Sequence, residues 1–166
     1  GVGKTVVSAG LMHRYRARAP RYWKPIQTGV EQDDDTSEVR RLVEGADTRV
    51  LDVGVRLPRP LSPHLAAHLA GQTIDVDGLL AQARPELERS TWVIEGAGGA
   101  LVPLARAVLM IDLMSRLALP VVVASRSTLG TINHTLLTLE ALRARALHVA
   151  GIVLVGEPNP DNRRAI

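Results

Sequence analysis

Apolar positions follow two rhythms along this chain. Short runs rich in β-branched and aromatic residues predict strands at Arg21–Lys24 (R-Y-W-K), Thr91–Glu95 (T-W-V-I-E), Pro120–Ala124 (P-V-V-V-A) and Val149–Val155. The Thr91–Glu95 strand reads as buried. Between these runs, apolar and small residues recur at helical spacing. Val6, Val7, Ala9, Gly10, Leu11, Met12 and Tyr15 predict a helix after Thr5 that ends near Pro20. Further helices are predicted over Asp33–Glu44, stopped by Gly45, and over His64–Ala70, Leu109–Leu117 and Ile132–Ala146. Asp77–Arg89 reads as a helix that Pro85 kinks or divides. Residues 50–63 carry Pro58, Pro60 and Pro63 and read as an extended crossing.

Helices alternating with short Val/Ile-rich strands predict an α/β fold, a mostly parallel sheet flanked by helices. Such sheets bind ligands at the carboxyl ends of their strands. The polar motifs of this chain fall just after predicted strands or at the helix starts that follow, so they read as one site.

Composition narrows the classes. A chain of 166 residues, 46% hydrophobic and 22% charged, suits one domain. No apolar run approaches the ~20 residues that cross a bilayer. Cysteine is absent, which excludes a disulfide scaffold, a Cys-ligated metal and a Cys nucleophile. With no signal-peptide pattern, a reducing cytoplasm is the expected home. Net charge is +3, aromatic residues make up 2% and Phe is absent, so stacking platforms for nucleic acid are scarce. Arg14, Arg16, Arg18 and Arg21 read as a solvated surface. Lysine plus arginine number 20, yet Lys4 and Lys24 are the only lysines. Each stands where an ammonium on a thin stem has a use.

Gly1-Val2-Gly3-Lys4-Thr5 at a helix start has the form of the tail of a phosphate-binding loop. Its glycines let N–H groups turn towards a polyphosphate, and the helix N-terminus adds positive charge. Lys4 reaches outer phosphates in this reading, and Thr5 offers a hydroxyl to Mg²⁺. A plain glycine turn is the alternative. Glu95 ends a strand at the lip of the turn Gly96-Ala97-Gly98-Gly99, as a metal-binding acid or a simple strand-end acid. Asp33-Asp34-Asp35 opens a helix, either as acids that favour its N-terminus or as a source of one or two metal contacts. Lys24-Pro25-Ile26-Gln27-Thr28-Gly29 follows the second strand and sets Lys24 and Thr28 at the top edge of the sheet.

Taken together, G-V-G-K-T, Y-W-K-P-I-Q-T-G, D-D-D-T, L-S-P-H-L-A-A, I-E-G-A-G-G, V-P-L and L-G-T-I-N-H-T-L-L-T-L-E-A-L resemble dethiobiotin synthetase across essentially the whole chain. The loop and E-G-A-G-G occur in related phosphate-loop proteins; K-P-I-Q-T-G with S-P-H and G-T-I-N-H is more specific. The resemblance implies a P-loop three-layer sandwich and an ATP- and Mg²⁺-dependent ligase of biotin biosynthesis. Its substrates are 7,8-diaminopelargonate, CO₂ and ATP. It implies nucleotide contacts from Gly1, Val2, Gly3, Lys4, Thr5, Glu95 and Gly98, metal ligands Thr5, Asp35 and Glu95, and catalytic roles for Lys4 and Lys24. Asp35 is preferred to Asp33 and Asp34 from the T-x-x-V that follows. Lys24 and Thr28 face the diamine. The family is a homodimer with its site at the interface, where Asn133 reaches the substrate carboxylate of the neighbouring subunit. The alternatives are a non-catalytic phosphate-loop switch of the partitioning type and an amide-forming ligase of the same group.

Some features depart from the family pattern. The family's first strand and the first glycine of its loop lie ahead of Gly1, so the chain is expected to be a fragment of a single ligase domain, truncated at both ends. As such it is expected to be poorly stable and inactive alone. Val155 stands where many relatives have an Asn that reads adenine, leaving Asn159 or Asn162 to take over or nucleotide choice to loosen. Ala105-Arg106-Ala107 stands where polar loop residues are expected. His64 and His134 read as loop-ordering or interface residues. Leu136, Leu137, Leu139 and Leu142 read as helix core or dimer contact.

Overall fold

A computed structural model describes all 166 residues. Gly3, at φ +89°, turns the chain into α1 (Lys4–Arg14). The predicted run towards Pro20 stops early: a 3₁₀ turn over Arg16–Arg18 follows, and Ala19 adopts a left-handed conformation. Arg14, Arg16 and Arg18 are exposed, as a solvated surface requires, but Arg21 is half-buried, paired with Glu86 and set over the Trp92 ring.

β1 (Arg21–Trp23) runs into the Lys24-Pro25 break and resumes as β2 (Ile26–Thr28), where the sequence pattern predicts only a loop. The extended crossing likewise contains β3 (Val50–Leu51) and β4 (Val55–Leu57). These pieces pair in parallel across the same break, β1 with β3 and β2 with β4. On its other edge β1 pairs in parallel with β5 (Trp92–Ile94), setting Tyr22 beside Val93 and Trp23 beside Ile94. Between them come α2 (Asp35–Leu42), α3 (Pro63–Leu69) and α4 (Val76–Leu87). Pro85 lies within α4 and does not divide it.

The V-P-L segment forms β6 (Pro103–Ala105), which pairs antiparallel with β7 (Val108–Leu109). Arg106 and Ala107 are the turn of this hairpin, which accounts for the unexpected A-R-A. Then follow α5 (Met110–Leu117), β8 (Val121–Arg126), α6 (Thr131–Ala144), β9 (Val149–Val155) and α7 (Pro160–Ala165). β8 and β9 pair in parallel.

The parallel pairing is therefore in three pieces, β3-β1-β5, its continuation β2-β4, and β8-β9. β5 and β8 do not pair, and a cavity of about 450 Å³ separates them. Val93 and Ile94 line one side and Val121 and Val122 the other, with Leu11 of α1 and Met114 of α5 also facing it. β5 is consequently half-buried rather than buried. The main core lies elsewhere, around Trp23, Ile26, Leu57, Leu104 and Leu113. A second core joins Met12 of α1 to Tyr22, Val39 and Val50. No helix is long and apolar enough to cross a membrane.

Candidate active site

The carboxyl ends of β1 and β5 meet the N-termini of α1 and α2 at one cluster of charges. Lys24 follows β1 and is almost fully buried. Its Nζ lies 2.8 Å from Oε1 of Glu95 and 2.5 Å from Oδ2 of Asp35. The Thr5 hydroxyl donates to Asp35 Oδ1 at 2.6 Å and lies 3.2 Å from Glu95 Oε1. Ser8 Oγ and Tyr22 Oη each donate to the other oxygen, Glu95 Oε2, at 3.0 Å. The Glu95 N–H donates to the Trp23 carbonyl at 2.9 Å, which locks the acid to the end of β1.

Local structure sorts the three acids. The Asp34 carboxylate caps α2, accepting from Thr36 N–H at 3.0 Å, Gln27 Nε2 at 3.0 Å and Ser37 Oγ at 2.7 Å. Asp33 is exposed and makes no side-chain hydrogen bond; only its backbone is engaged. Asp35, the first residue of α2, is the one that meets Thr5 and Lys24. Gln27 ties the cap of α2 to β2 from a buried position, and Arg56 donates to the Lys24 carbonyl at 3.0 Å.

The electrostatics follow. Burial pushes the Asp35 carboxyl up, but the ammonium groups of Lys24 and Lys4 and the Thr5 hydroxyl outweigh it and hold the group below its ordinary range. Lys4 is held below its ordinary value, first by burial and then by the charge of Lys24, with Glu95 and Asp35 pulling the other way. Two ammonium groups near enough to repel one another make a natural seat for a polyanion. Burial, the charge of Glu95 and the hydrogen bond to it all push the Tyr22 phenol upward, so it stays a donor.

Two carboxylates and one hydroxyl form a hard, all-oxygen donor set. No group of three or more His, Asp or Glu side chains is placed to hold a metal unaided. Mg²⁺ fits such a set because it usually takes one or two carboxylates and completes its shell with water and substrate phosphates.

The other expected residues stand as follows. Gly1 and Val2 lead into α1, and Arg126 donates to the Gly1 carbonyl at 2.8 Å. A Cβ at Gly3 would lie 2.9 Å from Val155 Cγ1, so Val155 packs under the loop. Asn159 Oδ1 accepts from the Asn162 N–H, and Asn162 Nδ2 donates to the Ser127 carbonyl. Each asparagine thus has half of its amide engaged. Gly98 has φ +69°, and a Cβ there would meet Val102 at 2.8 Å. Thr28 is half-buried at the end of β2 and Asn133 is exposed on α6; neither hydrogen-bonds to the cluster. His64 and His134 are exposed and make no side-chain hydrogen bond, so neither orders its loop in that way. Leu139 and Leu142 are core, whereas Leu136 and Leu137 are exposed.

Ser8 and Tyr22 join the cluster although the sequence pattern gives neither a role. Both carried a signal. Tyr22 is two residues before Lys24 and shares its face of the strand; Ser8 is four residues after Lys4 and shares its face of the helix.

A family model described as an AAA domain matches residues 1–166. Three relatives, each named ATP-dependent dethiobiotin synthetase BioD, align over nearly all of the chain. The protein of Rhodopseudomonas palustris strain HaA2 is 48% identical over 100% of this chain and 75% of its own length. That of Nitrobacter hamburgensis is 50% identical over 100% of this chain and 75% of its own length. That of Paramagnetospirillum magneticum is 50% identical over 99% of this chain and 76% of its own length. Identity of this extent, on a parallel α/β sheet with its charges gathered at the strand ends, shows that the chain belongs to the family of ATP-dependent dethiobiotin synthetases.

Proposed function

We propose that the cluster around Lys24 is the active site of an ATP-dependent ligase that closes a cyclic urea on 7,8-diaminopelargonate. The observation that carries this reading is the convergence of Lys24, Asp35, Glu95 and Thr5 at the N-terminus of α1. One substrate amine forms a bond to the carbon of CO₂ and loses a proton, giving a carbamate. A carbamate oxygen then bonds to the γ-phosphorus of ATP as the bond to ADP breaks. The second amine attacks the carbamoyl carbon and loses a proton, and the C–O bond breaks to release phosphate.

Each step needs position and charge neutralisation more than covalent help. Lys4 and the amides of Gly1–Thr5 bind the outer phosphates. Lys24, oriented by two carboxylates, steadies the negative carbamate and the phosphate that leaves. Thr5, Asp35 and Glu95 would hold Mg²⁺, which would neutralise phosphate charge when bound with the nucleotide. Thr28 orients the diamine from the end of β2. Glu95 and Gly98 border the nucleotide.

The same reading covers the assembly. Leu136 and Leu137 are exposed on α6 near Asn133, which supports a homodimer in which Asn133 reaches the substrate carboxylate in the neighbouring subunit. The apolar slot between β5 and β8 supports a single ligase domain whose sheet is continuous once a further strand fills it. The absence of cysteine fits a cytoplasmic enzyme.

The test is to supply the enzyme with MgATP, bicarbonate and diaminopelargonate and to follow cyclic urea by mass spectrometry alongside phosphate release. Product that requires all three supports the ligase. Phosphate release that ignores the diamine supports an ATP switch instead.

A further inference from the structure

Glu95 presents two oxygens of unequal chemistry. Oε1 faces the cation side, 2.8 Å from Lys24 Nζ and 3.2 Å from Thr5 Oγ1. Oε2 faces the protein and accepts from Ser8 Oγ and Tyr22 Oη, each at 3.0 Å. A carboxylate oxygen offers two lone-pair sites, so these hydroxyls fill Oε2.

The two donors come from rigid and independent supports. Ser8 is a buried residue of α1, whose first turn carries Lys4 and Thr5. Tyr22 is a β1 residue whose ring is fully buried against Met12, Val39 and Val50. The phenol has no other hydrogen-bond partner than Glu95. Terminal rotation of a Glu carboxylate is otherwise broad and roughly two-fold. A Glu free to rotate could turn both oxygens onto the Lys24 ammonium.

We propose that Tyr22 and Ser8 are positioning residues that clamp Oε2, so that Glu95 offers Oε1 alone to the metal–nucleotide and to Lys24. This rests on the reading of Glu95 as a metal ligand. Outer-shell partners of this kind commonly set metal affinity by about 10–100-fold. Neutral hydroxyls suit the task because they fix the carboxylate without competing with a cation for its charge.

The test uses the complete enzyme and Mn²⁺ as the probe, titrated by electron paramagnetic resonance in the presence of ADP. Tyr22→Phe keeps the ring and removes only the hydroxyl. It is expected to weaken Mn²⁺ binding about tenfold, with metal-free ADP affinity close to that of the parent and the melting temperature lowered by only a few degrees for the lost hydrogen bond. Ser8→Ala, on a different element, is expected to do the same, which guards against a folding defect in either variant. Glu95→Gln provides the reference. If it weakens Mn²⁺ binding while Tyr22→Phe and Ser8→Ala leave it unchanged, the clamp is wrong and the metal-ligand reading stands. If Glu95→Gln also leaves Mn²⁺ affinity unchanged, both fall. Equal losses in metal-free ADP binding would show general damage to the loop and would also overturn the clamp.

Discussion

Lys24 Nζ lies 2.8 Å from Oε1 of Glu95, and both side chains are almost completely buried. The pair joins the ends of two adjacent parallel strands, β1 and β5. An ammonium so deep in the fold costs desolvation, and the two carboxylates at its tip offset that cost. Removing one member leaves the other charge under-compensated. Glu95→Ala leaves Lys24 with Asp35 alone and is therefore expected to lower unfolding free energy by less than the roughly 3–5 kcal/mol of a fully unpaired buried charge, measured by guanidinium denaturation of the complete enzyme. A loss below the cost of an ordinary surface substitution would show that the pair does not bear on stability.

The Asp34 carboxylate caps α2 and fixes the turn from which Asp35 projects. Asp34→Ala is expected to cost about 1 kcal/mol in denaturant unfolding, and Asp34→Asn much less. Hydrogen bonds from Ser37, Gln27 and the Thr36 amide outweigh burial and hold the Asp34 carboxyl below its ordinary value of 3.8. A carboxyl with its folded value depressed stabilises fully above the unfolded value and loses that contribution as pH falls through the folded one. Between the ordinary value of 3.8 and the depressed folded value, stability should therefore fall less steeply with acid in Asp34→Asn than in the parent.

Much of this arrangement was legible in the residues. The loop tail at Gly1–Thr5 falls at a helix start, Lys24 after a short aromatic strand and Glu95 at a glycine-rich lip fall at strand ends, and the fold gathers Lys4, Thr5, Lys24, Asp35 and Glu95. What the residues hid is mostly long-range. β2 and β4 carry Gln27 and Arg56 at their centres, so no apolar run marks them, and only pairing across the Lys24-Pro25 break makes them strands. The β6–β7 hairpin lacks the usual Asn-Gly or Asp-Gly turn, since Arg106 and Ala107 form it. The ring of Tyr22 is core and only its hydroxyl belongs to the site, a division that an aromatic residue in a strand does not announce. The departure at Val155 gained a second meaning, because this side chain packs where a Cβ on Gly3 would stand.

That packing predicts a narrow tolerance at the loop. Gly3 combines φ +89° with a 2.9 Å approach of its notional Cβ to Val155. Gly3→Ala is expected to weaken ATP binding, measured by calorimetry. Val155→Ala in the same background should restore part of the loss by opening space, and the left-handed backbone accounts for the remainder. No recovery would place the whole effect on the backbone.

The gap in the sheet predicts a pattern of hydrogen exchange. The Glu95 N–H points to β1, donating to Trp23. Alternation along a strand then turns the Ile94 N–H towards the slot. In these 166 residues alone the Ile94 amide should exchange rapidly, and in the complete enzyme it should be protected. Equal protection in both would contradict the proposal that a further strand fills the slot.

In the proposed mechanism Lys24 serves the reacting carbamate and phosphate rather than nucleotide binding. The most direct measurement compares Lys24→Ala with the parent in the complete enzyme, recording cyclic-urea formation and ATP affinity side by side. A rate reduced by about 100-fold or more, with ATP affinity little changed, is the predicted result. An unchanged rate, or a loss of rate fully matched by a loss of ATP binding, would contradict it.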